Sequence, residues 1–191
     1  MTVRTKILGA LAVLLTTAGM ANAATYTVNQ SFGGGGVSGT IETDGTIGVI
    51  GTSNILNWSL TLTDTLGSFI LNGFSNSEVL IEGSAFSATV TDLLFDFDAG
   101  WGFVAFQNPY YGSSENYWCI DSNGGCTIYE RPVQTVLVGS DGWSVSGAGF
   151  SGVVIIGTTV AAVPLPASLP LLLAGLGALG ISRKRRKSNF A

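Results

Sequence analysis

The sequence Ile55-Leu56-Asn57-Trp58-Ser59-Leu60-Thr61-Leu62-Thr63 has a period of two that predicts how it folds. Its even-numbered positions are all apolar, and its odd-numbered positions from Asn57 onward are all polar. Because successive side chains of a β-strand point to opposite faces, this alternation predicts a half-buried antiparallel strand. We expect Trp58 to be a core residue and Leu56 to face inward with it.

Short apolar runs of the same kind recur on both sides of this strand, separated by residues such as Gly, Asn and Asp. No stretch between positions 24 and 162 shows a convincing apolar stripe of helical period. About ten short strands with such turns indicate an all-β fold, a single β-sandwich-like domain. The other candidate strands are residues 25–29, 68–72, 79–82, 85–98, 102–107, 127–130, 133–139, 143–146 and 152–158.

Two glycine-containing stretches predict turns. Asp44-Gly45 stands between strand-like runs at residues 38–43 and 46–50, and glycine supplies the positive φ that a tight turn needs. A hairpin is therefore predicted there. The four consecutive glycines at residues 33–36 predict a loop.

The N-terminal segment, residues 1–23, has the three parts of a signal peptide. Arg4 and Lys6 precede an apolar run, and Ala21-Asn22-Ala23 is the small-x-small pattern that signal peptidase cleaves. We expect the exported polypeptide to begin at Ala24. The following residues, 24–162, have the length of one domain with a single core.

The charges are distributed unevenly along the chain. The exported region, residues 24–162, contains all twelve carboxylates but only one basic residue, Arg131, which gives it a net charge of −11. Such a surface repels the phosphates of nucleic acid and anionic lipids. The charge therefore argues against a nucleic-acid partner, and it leaves cations and neutral sugars open as ligands.

Cys119 and Cys126 are the only cysteines, and they bracket a turn-forming Asn-Gly-Gly segment. Export implies an oxidising compartment, so a disulfide that clamps a hairpin is the favoured interpretation. Closing a loop of this size stabilises a fold by about 2 to 3 kcal/mol. A metal or redox pair is the alternative, but neither a CxxC spacing nor any histidine supports it.

The residue types available for catalysis are few. The chain contains no histidine, and the exported region contains no lysine, so the usual general base for a serine or cysteine nucleophile is missing. Catalysis by a pair of carboxylates, as in glycosidases, needs only Asp and Glu and stays open. We expect no enzyme activity.

The run Thr91-Asp92-Leu93-Leu94-Phe95-Asp96-Phe97-Asp98 is the richest candidate metal site. Its alternation places Leu93, Phe95 and Phe97 on one face of a strand and the aspartates on the other. Asp96 and Asp98, about 7 Å apart, are weak candidates for holding Ca²⁺. A solvated strand face is the favoured interpretation, and the spacing matches no EF-hand loop.

Aromatic residues crowd positions 101–118, with small polar residues between them. Core packing explains Trp101, Phe103 and Phe106 at least as well as any binding role. The remaining rings lie in a loop-like segment, where aromatic faces beside small polar groups are suited to stacking on sugar rings. The candidate sugar or partner contacts are Tyr110, Tyr111, Tyr117 and Trp118.

The C-terminal tail, residues 163–191, has three parts in a fixed order. Val163-Pro164-Leu165-Pro166-Ala167 comes first, an apolar segment follows, and Arg183-Lys184-Arg185-Arg186-Lys187 closes it. The tail resembles the VPLPA variant of the bacterial PEP-CTERM sorting signal, with Leu165 where the commoner form has Glu. The resemblance implies export by the Sec route in a Gram-negative cell that makes exopolysaccharide, and processing by an exosortase-like transpeptidase.

The length and the charges of the tail support the same topology. The apolar segment at about 167–181 has 15 residues, so a transmembrane helix there is about 22 Å long against about 30 Å of hydrocarbon. The basic cluster is expected to stay cytoplasmic by the positive-inside rule, which places residues 24–162 outside. The alternative is an ordinary inner-membrane anchor that is never cleaved.

Three classes of function remain open from the sequence. The favoured class is a non-enzymatic protein of the cell surface or extracellular matrix, with exopolysaccharide as the partner that this setting suggests. The second class is a carbohydrate- or calcium-binding module. The third is a glycosidase that uses carboxylates alone.

Overall fold

A computed structural model describes residues 23–113, 115–124, 126, 132–139 and 145–159. The predicted leader (except Ala23), the predicted sorting tail and the predicted strand at 127–130 lie outside these residues. Among the described residues, no helix has the length and apolar character needed to cross a membrane. In that part of the chain the strands are β1 (Ala24–Phe32), β2 (Gly35–Thr43), β3 (Gly48–Val49), β4 (Ile55–Thr63), β5 (Ser68–Asn72), β6 (Glu78–Gly83), β7 (Phe86–Ala88), β8 (Asp92–Asp96), β9 (Gly102–Gln107), β10 (Tyr117–Asp121), β11 (Val133–Leu137), β12 (Val145–Ala148) and β13 (Val153–Thr159), with a 3-10 turn at Thr52–Asn54 and one helical turn, α1 (Gly73–Asn76).

The strands form two antiparallel sheets, which confirms the predicted all-β, sandwich-like fold. The first sheet has eight strands in the order β3-β7-β8-β13-β1-β2-β4-β5, and the second has five in the order β12-β11-β10-β9-β6. One core cluster takes side chains from both sheets. The chain therefore crosses between two layers that bury a common interior.

Trp58 is part of this interior, as its position in β4 predicts. Its exposed fraction is 2%. Its ring meets that of Phe106, on β9 of the second sheet, edge to face at 5.5 Å between centroids. Its indole Nε1 donates a hydrogen bond to Ser77 Oγ at 3.0 Å, so the one polar group of this side chain is satisfied inside the core.

The start of β4 differs from the simple alternation. Glu42 of β2 pairs with Asn57, but Thr43 pairs with Ile55, so Leu56 is an extra residue in a β-bulge. Ile55 consequently points inward, and Leu56 is 45% exposed. The prediction that Leu56 faces the core is wrong, because the bulge reverses the alternation at that point. The other even positions of β4 are buried as predicted.

The hairpin predicted at Asp44-Gly45 does not form. Thr46 N donates to Asp44 Oδ1 at 2.9 Å, and Asn54 Nδ2 donates to Asp44 Oδ2 at 3.0 Å. These bonds, first that from Asn54 and then that from Thr46, lower the pKa of the Asp44 carboxyl. The bond from Asn54 connects the segment to the 3-10 turn, and β3 pairs with β7 and not with β2.

Two other connections also differ from the prediction. Of the four glycines predicted as a loop, only Gly33 and Gly34 form the turn between β1 and β2, with φ of 57° and 94°, and the other two begin β2. The strand predicted at 85–98 is divided into β7 and β8, because Thr89 Oγ1 accepts a hydrogen bond from Asp92 N at 2.8 Å and closes a turn between them.

Asp64 links the two sheets. It follows β4 and is 8% exposed. Its Oδ1 accepts hydrogen bonds from Leu66 N at 2.7 Å and Gly67 N at 3.2 Å, within the β4–β5 turn of the first sheet. Its Oδ2 accepts one from Val138 N, at the end of β11 in the second sheet, at 2.8 Å. One carboxylate thus satisfies backbone donors on both layers.

The free edge of β5 is partly occupied by the side chain of Asn76, the last residue of α1. Asn72 N donates to Asn76 Oδ1 at 2.7 Å, and Asn76 Nδ2 donates to Ile70 O at 3.0 Å. The amide group therefore takes the place of a neighbouring strand at two backbone positions of β5.

Candidate functional site

The outer face of the second sheet carries a small apolar cluster, separate from the main core. Along β9, Val104 and Phe106 join the core between the sheets, whereas Phe103 and Ala105 point the other way. Leu80 of β6 and Tyr117 of β10 pack against them. An apolar group on the outside of a sandwich is a place where a ligand or partner could bind.

Three rings form what we call the aromatic surface: Trp101, Phe103 and Tyr111. Tyr111 stacks on Phe103, with centroids 5.6 Å apart and planes inclined by 21°. Trp101 meets Phe103 at 5.8 Å and 78°. Phe103 is only 4% exposed beneath them, while Trp101 is 51% and Tyr111 40% exposed. Two accessible rings are therefore fixed on one buried ring.

The loop that carries Tyr111 is held in place by hydrogen bonds. Gly112 N donates to Gln107 Oε1 at 2.8 Å, and Ser113 Oγ donates to Asn108 O at 3.0 Å. Across the base of the loop, Asn108 N donates to Asn116 O at 2.8 Å. These bonds position the ring of Tyr111 before any ligand arrives.

Two carboxylates give this face a negative field. Glu82 of β6 and Asp121 of β10 both pair with Phe103, on either side of it, and their side chains lie on the same face. Burial raises the pKa of the Tyr111 phenol first, and the charges of Glu82 and Asp121 raise it further. Glu82 is exposed, whereas Asp121 is fully buried.

Asp121 and the cysteine pair shape the loop after β10. Asp121 accepts hydrogen bonds from Asn123 N and Cys126 N, each at 2.8 Å. The Cα atoms of Cys119 and Cys126 are 5.8 Å apart, with the sulfur atoms paired. That separation suits a disulfide. The Cys119–Cys126 disulfide stays a prediction for the exported protein.

The structure separates the residues that the sequence grouped as sugar contacts. Tyr110 and Tyr111 are exposed and Tyr117 is half-buried, so for these three residues the hypothesis stays open. Trp118 is 1% exposed and stacks on Phe106 at 5.7 Å, inside the sandwich. Sugar contact by Trp118 is therefore wrong, because its strand position points it into the core.

Trp101, for which the sequence left core packing and a binding role open, is exposed. It directly precedes β9, and it lies two residues before Phe103, which faces outward. Residues two apart along a strand point to the same face. The signal was available, since the strand 102–107 is predicted correctly and its parity relates the two rings.

The aspartates around β8 alternate as predicted. Leu93, Phe95 and Phe97 are buried, while Asp92 and Asp96 are half-buried and Asp98 is exposed. Asp96 Oδ1 accepts a hydrogen bond from Asp98 N at 2.9 Å, which closes a turn at the strand end. Among the described residues, no group of three or more His, Cys, Asp or Glu side chains is placed to hold a metal ion.

A comparison of two cations tests these aspartates. We expect about 2 mM Ca²⁺ and Mg²⁺, at matched ionic strength, to raise Tm by equal amounts, because both screen the net negative charge of residues 24–162. A larger shift with Ca²⁺ that disappears in Asp96→Asn would instead establish a specific calcium site, since Mg²⁺ substitutes poorly in a protein cage.

The comparisons with known proteins concern the tail. Residues 162–187 match the family model described as the PEP-CTERM protein-sorting motif. No curated protein and no solved structure shows significant similarity to the chain. The described part of the chain is thus an all-β fold, and a segment that matches a sorting motif follows it. The match indicates an exported protein with a PEP-CTERM-type sorting signal.

Proposed function

We propose that this chain is a non-enzymatic protein of the cell surface or extracellular matrix of a Gram-negative bacterium, delivered there by its PEP-CTERM tail. The observation that carries the proposal is the match of residues 162–187 to the sorting motif. In this scheme signal peptidase removes residues 1–23, and an exosortase-like transpeptidase recognises the VPLPA form of the motif at Val163–Ala167.

The chemistry of the tail supports transient insertion in the inner membrane. The segment at about 167–181 is short for a permanent span, and five basic residues at 183–187 follow it directly. The cluster keeps the C-terminus cytoplasmic while the β-domain stands outside. Processing near the motif then releases or transfers the domain.

The residue types of the exported region support a role without catalysis. It has no histidine and no lysine, and its cysteines are only two. The groups that usually activate a nucleophile are therefore lacking. No cofactor is proposed. Exopolysaccharide, the material that such an exported protein meets, is the proposed partner.

Neutral residues in place of the cluster Arg183–Lys187 are expected to weaken membrane retention and to reduce processing, because those charges hold the tail on the cytoplasmic side. A Lys/Arg exchange within the cluster is the matched control and should behave as the parent.

Pro164→Ala should impair processing but leave insertion intact. The measurement is cell fractionation with mass spectrometry of both termini, in which the parent should begin at Ala24.

If the neutral-cluster and Pro164→Ala variants are processed like the parent, residues 167–181 are a plain anchor and the proposed sorting is wrong. If the parent keeps its full C-terminus in its native host, the same conclusion follows.

A further inference from the structure

We propose that the aromatic surface of Trp101, Phe103 and Tyr111 binds a polysaccharide whose sugars carry no negative charge. This rests on the proposed function only in the choice of ligand, because an exported protein meets polysaccharide. The site itself is argued from the geometry of the rings, the rigidity of their loop and the charges beside them.

The rings present flat apolar area to solvent. One face of Tyr111 is covered by Phe103, and 40% of the residue stays exposed. Trp101 packs on the same Phe103 and is 51% exposed. The C–H face of a sugar ring can stack on such a surface, while its hydroxyl groups reach polar neighbours.

The site is built before the ligand arrives. The hydrogen bonds from Gly112 to Gln107 and across the loop from Asn108 to Asn116 fix the position of Tyr111. Phe103 beneath it lies in a strand paired on both sides. Little conformational entropy is therefore lost when a ligand binds, which favours binding by a small contact area.

The charges select the class of sugar. Glu82 is exposed beside Phe103, and Asp121 lies opposite the same residue on the neighbouring strand. The exported region as a whole is strongly acidic. A polysaccharide with carboxylate or sulfate groups would be repelled, whereas neutral sugars and amino sugars would not.

The size of the surface argues for a sugar over a folded protein. Two exposed aromatic side chains offer at most about 500 Å² even if each is fully buried on binding. A stable protein interface needs about 800 Å² from each partner and has few charges at its centre. A few stacked sugar rings match the smaller area.

The test is calorimetric titration of the full-length protein, purified in detergent, with oligosaccharides of neutral glucose, glucosamine and uronic acid. We expect the first two to bind and the uronic acid oligomer not to. Trp101→Ala and Tyr111→Ala should each weaken binding of the neutral oligomer by about fivefold or more. Trp101→Phe, which keeps an aromatic ring, should retain most of the affinity.

Phe74→Ala is the matched control, because Phe74 is an exposed aromatic residue (69%) packed on Trp58 of the other sheet. It should leave the affinity unchanged. Melting curves of every variant separate lost binding from lost folding. Glu82→Gln should lower binding of the glucosamine oligomer and leave the neutral one unaffected.

Several outcomes would overturn the proposal: absence of binding by the parent, equal binding of the uronic acid oligomer, or folded Trp101→Ala and Tyr111→Ala variants with parental affinity. Self-association that buries these rings would overturn it in favour of a second copy as the occupant. None of these results bears on tail processing, so failure here and failure of the proposed sorting are distinguishable.

Discussion

Replacing Gly39 by alanine is expected to lower the free energy of unfolding by at least about 3 kcal/mol. Gly39 lies inside β2, where it pairs with Val28 of β1 and Leu60 of β4. Its φ is 141°, and an added Cβ would lie 2.0 Å from Ser59 O. The neighbouring backbone cannot withdraw without breaking the ladder between β2 and β4.

Alanine substitutions at two other glycines separate the two causes of this loss, backbone strain and the close contact of the added Cβ. Gly34→Ala introduces only the strain of a positive φ of 94°, with nothing within 4 Å of the added Cβ, and should cost about 1 to 2 kcal/mol. Gly51→Ala has neither strain, at φ −117°, nor contact, and should be close to neutral. Denaturant unfolding followed by tryptophan fluorescence measures all three. A Gly39→Ala variant as stable as Gly34→Ala would show that the close approach does not exist.

Asp64→Ala is expected to destabilise the protein by about 3 kcal/mol, because it leaves three backbone donors without their acceptor. Leu66 N and Gly67 N can turn to water at the exposed β4–β5 turn. Val138 N cannot do so as easily, since its hydrogen bond with Asp64 is buried between the sheets. Most of the loss should therefore come from the contact with the second sheet.

Asp64→Asn and Asp98→Ala are the controls for this prediction. The asparagine keeps one acceptor oxygen, so it should lose clearly less stability than the alanine variant. Asp98 is an exposed aspartate, and Asp98→Ala should stay within about 0.5 kcal/mol of the parent. The free energies come from the same unfolding experiment. Equal losses for Asp64→Ala and Asp98→Ala would contradict the role of Asp64 as a link between sheets.

The fold was predictable where a strand has one solvent-exposed face and one buried face. The pattern around Trp58 and the run at 68–72 correspond to β4 and β5, which alternate in this way. The run at 102–107 also corresponds to β9, although all six of its residues are buried. β10 was missed because Tyr117 and Trp118 were assigned to a loop-like segment with small polar residues, whereas they begin a strand with four of its five residues buried. The bulge at Leu56 was not predictable either, since it depends on the register with β2 and not on any residue of β4 alone.

The candidate site was predictable in composition but not in detail. The crowding of aromatic residues between 101 and 118 marks the region. Which rings are accessible depends on the face to which each strand position points, and the two tryptophans have opposite placements. Trp101 lies outside and Trp118 inside, because the segment around Trp118 is a strand and not a loop.

The side chain of Asn76 affects how the protein can associate with copies of itself. β5 is an edge strand without a charged residue, the kind of edge to which another chain adds. Asn76 already occupies Ile70 O and Asn72 N, two of the groups that an incoming strand would need. A second molecule would have to displace an internal amide before it could extend the sheet. The molecule thereby carries its own barrier against polymerising through this edge while it is concentrated at a membrane.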